Sequence, residues 1–205
     1  MLQDFRLLLS GGIVMWPLFL CGVVSVAVTI ERLVAIGTTV VDNRRLMKDV
    51  ERLIAAEKYA EALEICQGRP GRAAALIASG LRAHTINRAS VERNMEEYAL
   101  KQTPIMMERL SILDTIITIA PLLGLLGTVT GMIKAFNVVG SAGMHQPLGV
   151  TGGVAEALIA TSAGLAIAIL TLPMYNFLTE RVKEDVAEME WRATQVLNML
   201  TKKRT

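Results

Sequence analysis

The sequence predicts an all-α membrane protein with three transmembrane helices. Two of them extend into the cytoplasm as long helices, and a helical cytoplasmic region lies between the first two spans. Three observations carry this reading. The first is composition: 52% of the 205 residues are hydrophobic, only 4% are aromatic, and the mean hydropathy is +0.44, an aliphatic and small-residue bias that soluble domains of this length seldom need. The second is the presence of three long, almost uncharged runs, each able to supply the roughly 20 apolar residues that a spanning helix requires. The third is the placement of basic residues. Thirteen of the 21 Lys and Arg residues fall between positions 32 and 109, and six between 181 and 204, which leaves only Arg6 and Lys134.

The first span is expected over 7–30, where "LLLSGGIVMWPLFLCGVVSVAVTI" carries no charge. A cleaved secretory signal ending near Ser25-Val26-Ala27 is the competing reading. The uncharged run exceeds a signal core, however, and a single Arg precedes it. Residues 31–114 hold most of the basic side chains and are assigned to the cytoplasm by the positive-inside rule. Within them Leu46, Val50, Leu53 and Ile54 recur at helical spacing, Gly68, Pro70 and Gly71 interrupt the pattern, and Ser90 is the expected N-cap of a further helix. That helix continues towards the second span, with a kink expected at Pro104. The second span covers 115–138. The connection 139–149 carries no Lys or Arg and is expected on the periplasmic side. The third span covers 150–179, and 180–205 continues it as a cytoplasmic helical tail with alternating charges. The N-terminus is then periplasmic and the C-terminus cytoplasmic.

Chemistry is concentrated in few residues. Cys21 and Cys66 fit neither a disulfide framework nor a metal motif. His84 and His145 are isolated, no nucleotide or zinc signature is present, and the near-neutral net charge of +2 gives no sign of nucleic-acid binding. No cofactor, metal or catalytic residue is expected. The conspicuous group is Glu156, the one acid in the third span. A carboxylate near a bilayer centre costs roughly 2.5–3.5 kcal/mol on insertion scales. Desolvation favours its neutral form unless a cation compensates. Counted from Val150 it lies about 9 Å along the helix, a depth that fits either a buried acid or one reaching for the interface. On a helical wheel Glu156 shares a face with Gly152, Gly153, Ala160, Ala163 and Gly164, whereas Thr161 points roughly 140° away. Gly124, Gly127, Gly131, Gly152, Gly153 and Gly164 are expected to let helix backbones approach closely in lipid, within one chain or between copies.

The stretch "APLLGLLGTVTGMIKAF", followed by "GGVAEALIATSAGL" and Tyr175-Asn176, resembles the MotA/TolQ/ExbB proton-channel family, and its ExbB and TolQ members most. The resemblance spans about 115–177, with "ERL" at Glu31–Leu33 also in its style. Pro173 and Thr151-Gly152-Gly153 depart from the commoner pattern. The resemblance implies a bacterial inner-membrane motor subunit that forms a pentamer around a dimeric, one-span ExbD-like partner bearing an aspartate. Such a motor uses the proton-motive force to energise a TonB-like protein and outer-membrane transport. It implies that Glu156, Thr128 and Thr161 line the proton route. A TolQ-like motor for envelope maintenance is the alternative within the family. A non-conducting membrane scaffold is the alternative outside it. A solute carrier is disfavoured because three spans show no inverted repeat.

Overall fold

The computed structural model describes residues 11–37, 43–83, 87–142 and 147–202. All its regular elements are helices: α1 (Met15–Gly37), α2 (Asn43–Ala55), α3 (Tyr59–Gly68), α4 (Arg72–Arg82), α5 (Arg88–Met107), α6 (Leu110–Ala142) and α7 (Pro147–Lys202). Three stretches are long and apolar enough to cross a membrane, within Met15–Ala35, Arg88–Gly140 and Thr151–Leu200. The helices reach into the expected 139–149 connection, because α6 runs to Ala142 and α7 starts at Pro147. Proline suits that first helical position, where its missing N–H would have no partner. The chain divides into two compact units, one formed by residues 1–31 and 109–177, the other by 32–108 and 178–205.

The second unit is a stack of short helices. Leu46, Val50, Leu53 and Ile54 are all buried, as their helical spacing requires. The step from α3 to α4 falls where Gly68, Pro70 and Gly71 predict it, and Gly71 takes φ +128°, a conformation open to glycine. The step from α2 to α3 has no such marker. There Glu57 adopts φ +62°, Lys58 N–H donates to the Leu53 carbonyl at 2.9 Å, and Glu57 N–H donates to Ile54 at 3.1 Å. This is the Schellman arrangement, built here on a glutamate where glycine is usual. The start of α5 corrects an expectation. The N-cap is Asn87, whose side-chain oxygen accepts the Ser90 N–H at 2.7 Å. Ser90 is thus the third helical residue, because an extended Asn already satisfies the orphan donor. Pro104 stays inside α5, which ends at Met107. Gly80 of α4 sits so close to α5 that a β-carbon there would fall 2.7 Å from Met95 Sδ. Arg72 and Asp185 form a 2.8 Å ion pair between α4 and the second half of α7.

The first unit is a three-helix bundle of α1, α6 and the first half of α7. Its core includes Val14, Leu18, Ile116, Ala120 and Ala160. Ion pairs mark both ends: Glu31 with Arg109 at one, Lys134 with Glu156 at the other. Between Asp114 and Lys134, α6 carries no charge, and those 20 residues rise about 30 Å, the thickness of a bilayer's hydrocarbon core. The bundle therefore presents an apolar belt of membrane height bracketed by charge.

Candidate functional site

The contact between α6 and α7 is made of the smallest residues. A β-carbon added at Gly164 would lie 2.4 Å from the Ala120 carbonyl oxygen, one at Gly127 would lie 2.4 Å from Ala160 Cβ, and one at Gly131 would lie 2.7 Å from the Gly153 oxygen. Gly153 and Gly124 face equally close backbone, at 2.8 and 3.0 Å. Five of the six glycines expected at helix contacts are thus used inside the chain. Gly152 is not among them: a β-carbon there would meet nothing within 4 Å. The physical reason is rotation, since Gly152 lies about 100° around the helix from Gly153.

That seam fixes where the polar side chains go. On α7 the residues against α6 are Gly153, Ala157, Ala160 and Gly164. Glu156 lies about 70° to one side of this line and Thr161 about 70° to the other, at 100° per residue. On α6, Lys134 and Thr128 flank the seam in the same way. Because the two helices run antiparallel, Lys134 meets Glu156 on one flank, whereas Thr128 and Thr161 share the opposite one. The three residues expected on one route are therefore split within a single chain, Glu156 on one side of the hairpin and the two threonines on the other.

The Glu156 flank is covered and internally paired. Lys134 Nζ lies 2.5 Å from Glu156 Oε1, the lysine side chain 54% and the glutamate 21% exposed. α1 packs over this side, and the chain just before it passes so close that a β-carbon on Gly12 would fall 1.8 Å from Glu156 Oε1. Gly12 also has φ +74°, which L side chains rarely adopt. The acid that reads as solitary along the sequence is held by a cation 22 residues earlier. Both sit near the end of the apolar belt, so Glu156 is close to a boundary rather than midway through it. Farther along, Ser25 of α1 and Thr171 of α7 are joined by a buried 2.7 Å hydrogen bond. Thr171 gives its hydroxyl proton to the Ile167 carbonyl, so Ser25 is the donor. Sequence reasoning missed this link because a lone serine in an apolar run has no partner visible in one dimension.

The threonine flank is different. Thr128 donates to the Leu125 carbonyl at 2.7 Å, and Thr161 donates across the seam to the Gly124 carbonyl at 2.9 Å. A threonine whose proton is already given away presents only acceptor lone pairs to an arriving group. Around them Leu125, Leu158, Leu165 and Leu172 are exposed. Thr115, Thr118 and Thr130 bond to their own helix, as threonines in apolar helices commonly do.

Comparison with known proteins shows the family of the chain. The profile of the MotA/TolQ/ExbB proton channel family matches residues 71–191. The chain belongs to that family. It is 32% identical over 179 residues to the ExbB-like 1 biopolymer transport protein of Synechocystis sp., covering 83% of this chain and 68% of the relative. It is 31% identical over 170 residues to the ExbB-like 3 protein of the same organism, covering 82% and 81%. It is also 26% identical over 183 residues to the biopolymer transport protein exbB1 of Vibrio cholerae, covering 87% and 80%. The matched region takes in α4 to α6 and most of α7, including both flanks of the hairpin. It is thus a biopolymer-transport proton-channel subunit, with ExbB-like proteins as its relatives, and a multi-pass membrane protein. Among the described residues no cluster of His, Cys, Asp and Glu is placed to hold a metal ion.

Proposed function

We propose that this protein is the ring-forming subunit of a proton-motive-force-driven motor in a bacterial inner membrane. With an ExbD-like one-span partner it energises TonB-dependent transport. In this reading residues 31–114 and 180–205 are cytoplasmic, 139–149 is periplasmic, and the spans are 7–30, 115–138 and 150–179. The observation that carries the proposal is the flank of acceptor-only threonines, Thr128 and Thr161, left uncovered by α1 beside an apolar surface. A partner carboxylate is also an acceptor and gains nothing from such oxygens. Once protonated it becomes a donor and can bond to them. The threonine flank therefore distinguishes a neutral acid from a charged one, which is what converting proton entry into helix movement requires. One proton crossing 100 mV releases about 2.3 kcal/mol, comparable to one or two such contacts.

The division of Glu156 from the threonines supports a ring, in this reading of five copies. Adjacent subunits would each present the threonine flank, which α1 leaves uncovered, to a central dimer. The glycines do not support the ring, since five of the six are used within the chain.

The test is co-expression with a one-span, aspartate-bearing protein encoded nearby, followed by subunit counting and proton flux in liposomes. Replacing Thr128 and Thr161 together by Val keeps their shape and removes the acceptors. Flux is expected to fall roughly fivefold to thirtyfold, by loss of one or two bonds of about 1 kcal/mol each, with assembly retained. Unchanged flux would overturn the route. Unchanged energised transport in Glu156→Ala would favour the scaffold. Companions serving envelope maintenance would favour the TolQ-like reading.

A further inference from the structure

The functional reading above leaves the outer face of α2 unused. The apolar face of this helix, Leu46, Met47, Val50, Leu53 and Ile54, is buried inside the second unit. What it turns outward is basic. Arg45, Lys48 and Arg52 are all exposed, and their spacings of three and four residues set them on one stripe. Asp49 is the acid on that stripe, and Arg69 already binds it at 3.1 Å. Among the described residues no ion pair engages Lys48 or Arg52, although Glu51 is within reach of Lys48 by helical spacing. The helix gains nothing from this pattern. Like charges three and four residues apart repel, and Arg45 stands in the first turn, at the positive end of the helix dipole. α2 also lies outside the residues that the family profile matches.

A second observation fixes where the stripe stands. Arg69 is three residues before Arg72, at most about 11 Å of chain, and Arg72 is paired with Asp185 of α7 at 2.8 Å. Asp185 lies six residues past Thr179, the end of the third span, or about 9 Å along the helix. Two ion pairs thus tie α2 to the first turns of α7 beyond the span. The headgroup layer adds about 5–7 Å to each side of the hydrocarbon core, and the field of charged headgroups reaches about 8 Å farther at physiological salt.

We propose that the face of α2 formed by Arg45, Lys48 and Arg52 docks on anionic phospholipid headgroups of the leaflet that α7 leaves at Thr179. This rests on the span boundaries of the motor reading and not on proton conduction. Charge complementarity selects the occupant. Lipid phosphates supply the anions that the stripe lacks, at the depth where the two ion pairs hold it, and each base near an anionic surface strengthens binding about fivefold. Because its apolar face is already used in the helical stack, α2 rests on the headgroups without inserting. The contact is therefore electrostatic and weakened by salt.

The experiment places the full-length protein in lipid nanodiscs, either of phosphatidylcholine alone or with about 30% phosphatidylglycerol, the anionic probe. A bimane fluorophore on Ala55→Cys, in a Cys21→Ala/Cys66→Ala background, reports the approach of α2 to a nitroxide carried on a lipid headgroup. Quenching is expected to be at least twofold stronger with phosphatidylglycerol at about 50 mM salt, and the excess is expected to vanish at about 500 mM. Lys48→Gln/Arg52→Gln should abolish the excess. Arg82→Gln/Arg88→Gln, which removes the same charge from the ends of α4 and α5, should keep it. Equal quenching in the two lipid compositions overturns the proposal, and is the result expected if an acidic protein segment is the true occupant. An excess that survives Lys48→Gln/Arg52→Gln, or that both double variants lose alike, overturns the assignment to this face. If Lys48→Gln/Arg52→Gln fails to fold, the lipid and salt dependence of the parent protein still decides whether α2 docks. Failure of the motor reading is separate: a complex that conducts no protons ends that reading and leaves the quenching result standing.

Discussion

Gly164→Ala adds a single methyl group at the tightest point of the α6–α7 seam. Its β-carbon would sit 2.4 Å from the backbone oxygen of Ala120, and 3.2 Å from both the Ala120 carbonyl carbon and Gly124 Cα. β-carbons do not approach other atoms within 3.0 Å, so the helices must part by about 0.6 Å. The obstructing atoms are backbone, and no side-chain rotation relieves them. Overpacking of this kind costs about 1–3 kcal/mol, against which alanine recovers about 1 kcal/mol of helix preference over glycine. The expected net loss is about 0–2 kcal/mol. Gly152→Ala on the same helix is the matched control: its methyl meets nothing within 4 Å, so only the helix preference remains and a gain of about 0.5–1 kcal/mol is expected. The two substitutions are chemically identical and should differ by about 2 kcal/mol. Thermal unfolding of the monomeric protein in a mild detergent, followed by circular dichroism, measures the difference. Equal stability of the two variants would refute the backbone seam as the contact that sets the bundle.

Three further outcomes are expected from the second unit. Burial pushes the Cys66 thiol up to about 11, Arg69 opposing it only in part, so a maleimide at neutral pH should label Cys66 at least tenfold more slowly in the native protein than in urea; equal rates would contradict the burial. Burial likewise raises the Asp185 carboxyl above its ordinary 3.8 despite the Arg72 pair. Its contribution to stability is then fully present below 3.8 and lost as pH rises through the raised folded value. The stability deficit of Asp185→Asn relative to wild type should therefore shrink with rising pH, as melting curves across the acid range would show, and a deficit that grew would reverse the sign. Glu57→Gly relieves a left-handed conformation that costs a side-chain-bearing residue roughly 1–2 kcal/mol. After the extra freedom glycine gains when unfolded, the variant should be about 0.5–1 kcal/mol more stable in the same melting assay.

The site was legible in part. Glu156, Thr128 and Thr161 stand out because polar groups are rare in apolar helices. What one dimension could not supply was their distribution around the hairpin. Wheel geometry placed Glu156 and Thr161 about 140° apart, yet nothing in the spacing showed that the seam would run midway between them. Lys134 was visible as a stray charge but read as separate from Glu156, because a 22-residue separation says nothing of contact. Glu57 gave no signal at all. The backbone turns there through a left-handed residue that the sequence does not mark with glycine.

Sequence by itself determined the three spans, their order and the breaks at Gly68–Gly71, since transfer from water to lipid is close to a sum over consecutive residues and turn residues act locally. Tertiary structure decided which face of each helix met which neighbour. It thereby joined Lys134 to Glu156, Ser25 to Thr171, and set the threonines apart. The reason is steric: glycines allow two backbones to touch in few rotational settings, and once the seam is seated every other side chain's direction is fixed with it.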